Sequence, residues 1–142
     1  TNVNYNPDAD RSTWLAFLRT VAERQEVIDH LQVLVGYSFT GHISDEIAPY
    51  IYGPTRSGKG VFTETLQAIA GDTLAKEISF DVLTQRKHAD DQGFALAPLK
   101  DARLVFASES KQRQRLDEAK LKRITGGNEV HCAFKHKDFF SY

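Results

Sequence analysis

The residues best equipped for chemistry stand together at Gly53-Pro54-Thr55-Arg56-Ser57-Gly58-Lys59. Their spacing is G-x-x-x-x-G-K, and it suits an anion. Glycines let the backbone curl tightly, so that successive N–H groups point inward at a phosphate. A helix starting at the end of the loop adds unbonded amides and the positive end of its dipole. Lys59 supplies a mobile point charge for the β- and γ-phosphates of a nucleotide. The expected phosphate-binding residues are therefore Gly53, Pro54, Thr55, Arg56, Ser57, Gly58, Lys59, Gly60 and Val61. Three fixed residues match by chance in roughly 4 of 100 chains of this length, and an ordinary glycine turn is the competing reading. What favours the phosphate loop is its setting between an apolar strand pattern and an amphipathic helix pattern.

The loop departs from the common pattern at one point. Ser or Thr usually follows the lysine, and its hydroxyl reaches Mg²⁺. Here Gly60 follows, then Val61. Thr63 and Thr65 lie further along the helix and are expected to point elsewhere. Either the metal keeps a water at that place or it is held more weakly. A Gly-Lys-Gly sequence also keeps small phosphoryl-transfer kinases among the alternatives.

A nucleoside triphosphatase needs a carboxylate at the end of a neighbouring strand to hold Mg²⁺ or polarise water. Leu104-Val105-Phe106-Ala107 is a continuous apolar run of the kind that forms a buried parallel strand. Ser108-Glu109 follows, and Glu109 is the candidate metal and catalytic carboxylate. Taken alone, a solvated glutamate after a buried strand is the plainer reading. Two basic groups come later: Lys120, Lys122 and Arg123 near one helical turn, and Lys135, His136 and Lys137. Each by itself reads as a solvated face. The turn Thr125-Gly126-Gly127 and the flanking Phe134, Phe139 and Phe140 instead favour a rigid hairpin whose cations meet phosphates without reading bases. His131, Cys132 and His136 have poor spacing for a metal site.

The elements that must position these residues follow from periodicity. Asn- and Asp-rich residues 1–10 form a polar lead-in. Trp14, Phe17, Leu18 and Val21 recur at helical spacing behind a possible cap at Ser12 or Thr13. Val27, Ile28, Leu31, Leu34 and Val35 mark a second helix that Gly36 is placed to end. Ile47–Tyr52 reads as a strand, and Phe62, Leu66, Ile69 and Ala70 as a helix stopped by Gly71. A further strand is expected over Lys76–Phe80, an exposed loop over Gln85–Gln92, a helix over Leu116–Ile124, and a hairpin over Glu129–Phe140.

The chain of 142 residues is 41% hydrophobic and 26% charged, which excludes collagen-like and strongly disordered classes. Its 18 basic and 19 acidic residues leave a net charge of −1, so any nucleic-acid contact must be local. A single cysteine, Cys132, excludes an intramolecular disulfide framework and favours a reducing compartment. No run approaches the apolar length of a membrane span.

Taken together, these motifs resemble those of superfamily 3 helicases of the phage and plasmid primase-helicase type. Leu31–Gly41 looks like the helical segment preceding the ATPase, and Gly53–Lys59 matches the Walker A loop. Leu104–Glu109 looks like the Walker B strand, with Ser108 where many members carry a first acid. Lys120–Asn128 resembles the motif that follows, with Asn128 where many have Asp. Lys135-His136-Lys137 falls at the DNA-contacting hairpin. The resemblance implies an α/β fold: a P-loop NTPase core of the AAA+ type, with a parallel sheet and flanking helices. A small helical region would occupy residues 1–46, and residues 47–142 the front part of the helicase domain, ending before the strand that carries the sensor Asn and before the arginine finger. It implies ATP and Mg²⁺ as cofactors, with Lys59 on the phosphates and Glu109 on Mg²⁺ and the attacking water. Lys135, His136 and Lys137 would contact single-stranded DNA without sequence preference. The intact protein would be a homo-hexamer coupling ATP hydrolysis to DNA unwinding in phage or plasmid replication, in the bacterial cytoplasm, and this stretch alone would be inactive. Two alternatives stay open: a P-loop nucleotide kinase, and a non-enzymatic nucleotide- or DNA-binding assembly module with a degenerate loop.

Overall fold

The computed structural model describes residues 1, 3–84, 92–108, 115–127, 129–133 and 139–141. Helix α1 (Ser12–Val21) is preceded by Asp10, whose carboxylate accepts from Ser12 N at 2.8 Å and Ser12 Oγ at 2.9 Å. These bonds hold the Asp10 carboxyl below its usual range. The expected cap thus acts differently: Ser12 is the first helical residue, and its hydroxyl bonds backward to Asp10 rather than forward into the helix.

Helix α2 (Gln25–Thr40) runs past Gly36 and ends at Gly41. Outside the helix's own backbone, a Cβ at Gly36 would meet no described atom within 4 Å, and the helix continues through it. Gly41 adopts φ +74°, the left-handed conformation that closes a helix. Arg103 then donates from Nη1 to the Thr40 carbonyl at 3.1 Å, satisfying one of the last carbonyls of α2.

Helix α3 (Lys59–Leu74) follows the glycine loop and is interrupted at Gly71, whose φ of +74° and ψ of 171° are not helical. That break lets the chain pass into β1 (Ala75–Ser79), continued by a 3₁₀ turn at Phe80–Leu83. A short helix α4 (Gln92–Leu96) and a second 3₁₀ turn lead to β2 (Leu104–Ser108). The two strands are parallel, with Ala75 opposite Leu104 and Ser79 opposite Ser108. Helix α5 (Glu118–Thr125) is capped by the Asp117 carboxylate, which accepts from Lys120 N. Strands β3 (His131–Ala133) and β4 (Phe139–Ser141) pair antiparallel, as a hairpin requires.

Two apolar clusters hold these elements. Leu18 and Ala22, Ile28, and Phe62 and Leu66 join the first three helices, with Leu104 and Phe106 of β2 packed on them. Trp14 stacks on Phe62 at 5.9 Å, fixing α1 against α3. Leu96, Leu99 and Val130 form the second cluster, with Ile78, Val82 and Ile124 around them. The architecture is mixed helix and strand around a small parallel two-stranded sheet.

The strand expected over Ile47–Tyr52 is not formed. That segment carries no regular structure, and among the described residues β2 pairs only with β1. Ile47–Ile51 and Leu104–Ala107 both line one cavity of about 790 Å³, with no ladder joining them. A strand exists only through a partner's backbone groups, and among the described residues no strand ladder includes this segment. No helix among the described residues is long and apolar enough to cross a membrane.

Candidate functional site

The loop is built from residues that accept unusual backbone angles. Gly53 and Gly58 have φ of +158° and +85°, and Arg56, without glycine's freedom, holds φ +66°. A left-handed non-glycine residue costs about 1–2 kcal/mol, so the surrounding loop must impose it. A bond from Ser57 N to the Pro54 carbonyl at 3.3 Å closes the turn. Gly58 faces α1 so closely that a Cβ there would lie 2.5 Å from Val21 Cγ1 and 3.2 Å from the Phe17 ring. Helix α1 is thus the wall behind the loop. Helix α3 begins at Lys59 with no side chain capping its first turn, which leaves amide donors for an external acceptor.

Lys59 is half-buried and does not stand free, as a bare sequence motif would suggest. Its Nζ donates to the Gly53 carbonyl at 2.9 Å, the Pro54 carbonyl at 2.8 Å and Ser57 Oγ at 3.0 Å. The ammonium is folded back over the ring of the loop and uses all three of its donors there. The structure therefore brings Gly53, Pro54, Ser57, Gly58 and Lys59 into one compact turn, with Arg56 exposed. Gly60 and Val61 lie in the first turn of α3, both exposed.

Thr63 and Thr65 point elsewhere, as expected. Thr63 Oγ1 donates to the carbonyls of Lys59 at 3.2 Å and Gly60 at 3.1 Å, and Thr65 Oγ1 to that of Val61 at 2.7 Å. Sequence reasoning overlooked Glu64, whose Oε1 lies 3.6 Å from where a Cβ at Gly60 would stand. The i, i+4 spacing of Gly60 and Glu64 was the available signal.

Strand β2 ends at Ser108, and Glu109 lies outside the described residues, as do Asn128 and Lys135, His136 and Lys137. The last three fall between β3 and β4. The basic group on α5 is not a uniformly solvated face. Lys120 is buried and donates from Nζ to the Val82 carbonyl at 2.8 Å. Arg123 has its Nε buried without a hydrogen-bond partner among the described residues, and Lys122 is exposed. Cys132 is fully buried, and burial pushes its thiol up against a smaller downward pull from Lys100. No group of three His, Cys, Asp or Glu side chains capable of holding a metal occurs among the described residues.

Residues 51–142 match DUF5906, a family of unknown function, and this match takes in the glycine loop, both strand pairs and α5. No curated protein matches the chain.

Proposed function

The chain belongs to DUF5906, a family of unknown function, so its role has to be read from its own residues, and we propose that it is the ATP-binding part of a DNA helicase. The observation that carries the reading is Lys59. Its ammonium is held over a tight glycine turn by the Gly53 and Pro54 carbonyls and Ser57 Oγ, at the start of a helix that no side chain caps. A lysine that collects loop carbonyls can exchange them for phosphate oxygens, while amides of the turn and the first turn of α3 donate to the same anion.

In this reading Gly53–Val61 hold the phosphates, and Arg56 adds a second cation at the rim. Mg²⁺ supplies neutralisation of the β- and γ-oxygens when bound. Glu109, the residue after β2, is the proposed carboxylate for the metal and the attacking water. Lys135, His136 and Lys137, between β3 and β4, are the proposed contacts to single-stranded DNA phosphates. The α/β P-loop core of the AAA+ type, the hexamer and the coupling of hydrolysis to unwinding in phage or plasmid replication follow from the resemblance to superfamily 3 helicases.

ATP affinity, measured by calorimetry with Mg²⁺ for the chain and for Lys59→Ala, tests the reading. Loss of a charged donor should weaken binding by about 10–100-fold. Equal affinity in the variant would remove the phosphate loop from consideration.

A further inference from the structure

Position 60 is glycine, so the chain has no hydroxyl directly after its phosphate-loop lysine. The surroundings of that gap are specific. Among the described residues, and apart from its chain neighbours and the backbone of α3 itself, a Cβ at Gly60 would meet Glu64 Oε1 at 3.6 Å. The carboxylate of Glu64, one turn along the same face of α3, therefore hangs over the space that a serine or threonine would fill. Nearby hydroxyls do not compete for it: Thr63 and Thr65 are turned back onto helix carbonyls, and Ser57 Oγ accepts from Lys59.

Glu64 is exposed, so its carboxylate can take a ligand from solvent. Its carboxylate makes no hydrogen bond or ion pair among the described residues. It stands beyond the first turn of a helix that starts at Lys59, and attraction to the helix dipole fades within that turn. A carboxylate beside a triphosphate repels it unless a cation stands between them. Mg²⁺ suits the donor set. It takes hard oxygen ligands and is commonly held by one or two carboxylates plus substrate phosphates, so it needs no cluster of three protein ligands.

We propose that Glu64 is the loop-side oxygen ligand for the Mg²⁺ that accompanies the nucleotide, filling through the Gly60 gap the place of the absent hydroxyl. The inference rests on the phosphate-loop reading and adds a residue to it. It also carries a sign. Without Mg²⁺, Glu64 opposes ATP; with Mg²⁺, it supports ATP.

The test is ATP affinity of the full chain, by calorimetry, in Mg²⁺ and in EDTA. In the unaltered chain Mg²⁺ tightens binding. In Glu64→Gln that Mg²⁺ advantage falls by roughly 10–100-fold, while affinity in EDTA stays the same or improves. The double variant Gly60→Ser/Glu64→Gln regains the advantage, which a merely misfolded Glu64→Gln could not do. ATP binding with no Mg²⁺ advantage in the unaltered chain, or an undiminished advantage in Glu64→Gln, overturns this inference alone. A loss in Glu64→Gln without recovery in the double variant overturns the claim that the two groups fill one place. Absence of ATP binding in both buffers overturns the phosphate-loop reading and this inference with it.

Discussion

Lys59 Nζ donates to the carbonyl oxygen of Pro54 at 2.8 Å, across the turn that the two residues bracket. The same ammonium reaches Gly53 and Ser57. The lysine is thus a strut of the loop as well as its candidate phosphate contact. Lys59→Ala should therefore do two things at once. It should lower the unfolding free energy of the nucleotide-free chain by about 1–2 kcal/mol, the scale of one or two half-exposed hydrogen bonds. It should also shrink the rise in unfolding free energy that Mg-ATP gives, by up to about 1.4–2.7 kcal/mol for a 10–100-fold weaker site. Urea denaturation with and without nucleotide measures both. Unchanged nucleotide-free stability would mean that the three bonds contribute nothing to the fold.

Two glycines in the loop region should respond oppositely to alanine. At Gly58, φ is +85° and a Cβ would lie 2.5 Å from Val21 Cγ1. Left-handed strain and the push against α1 together predict a loss of about 2–4 kcal/mol for Gly58→Ala. At Gly60, which is helical, the nearest described atom to a Cβ outside α3's own backbone would be Glu64 Oε1, at 3.6 Å. Gly60→Ala should raise stability by about 0.5–1 kcal/mol through helix propensity. Denaturant midpoints of the two variants decide it. Equal effects would contradict the packing of α1 behind the loop.

Lys120 is 6% exposed and bonded to the Val82 carbonyl, so it ties α5 to the turn after β1. Lys120→Ala should cost about 1–3 kcal/mol, because it strands a buried carbonyl. Lys120→Met, which refills the space, should cost less. Neither should change DNA affinity, since the ammonium does not face solvent. Melting curves and a salt titration of DNA binding on both variants check this. A fall in DNA affinity with Lys120→Met at unchanged stability would place this lysine at a nucleic-acid surface after all.

Cys132 is inaccessible, and burial raises its thiol above the ordinary value of 9.0. The thiolate then forms more readily in the unfolded chain than in the folded one. Stability from this group is complete below the unfolded value and is lost as pH rises through about 9.0 and beyond. Alkylation of the native chain at pH 8 should be far slower than in urea, and stability should decline above pH 9. Rapid native labelling would show that the β3 region opens without global unfolding.

The sequence by itself determined the parts that rest on local rules. The glycine loop, the start of α3, the apolar run of β2 and the two strands of the late hairpin all follow from residues adjacent in the chain, because turn chemistry and hydrophobic period act over a few residues. Tertiary structure decided everything that depends on a distant partner. Gly36 does not stop α2, since a glycine stops a helix only where the chain needs a left-handed turn, and Gly41, beside Arg103, is that place. Ile47–Tyr52 has the composition of a strand, yet among the described residues it joins no ladder. Lys120 looked like one of three equivalent cations until the Val82 carbonyl drew it inside. The carboxylate beside Gly60 was visible as a spacing, but only the fold of Lys59, Thr63 and Thr65 onto their own partners left Glu64 alone at that gap. Local propensity proposes an element, and long-range hydrogen bonds and burial select what the element becomes.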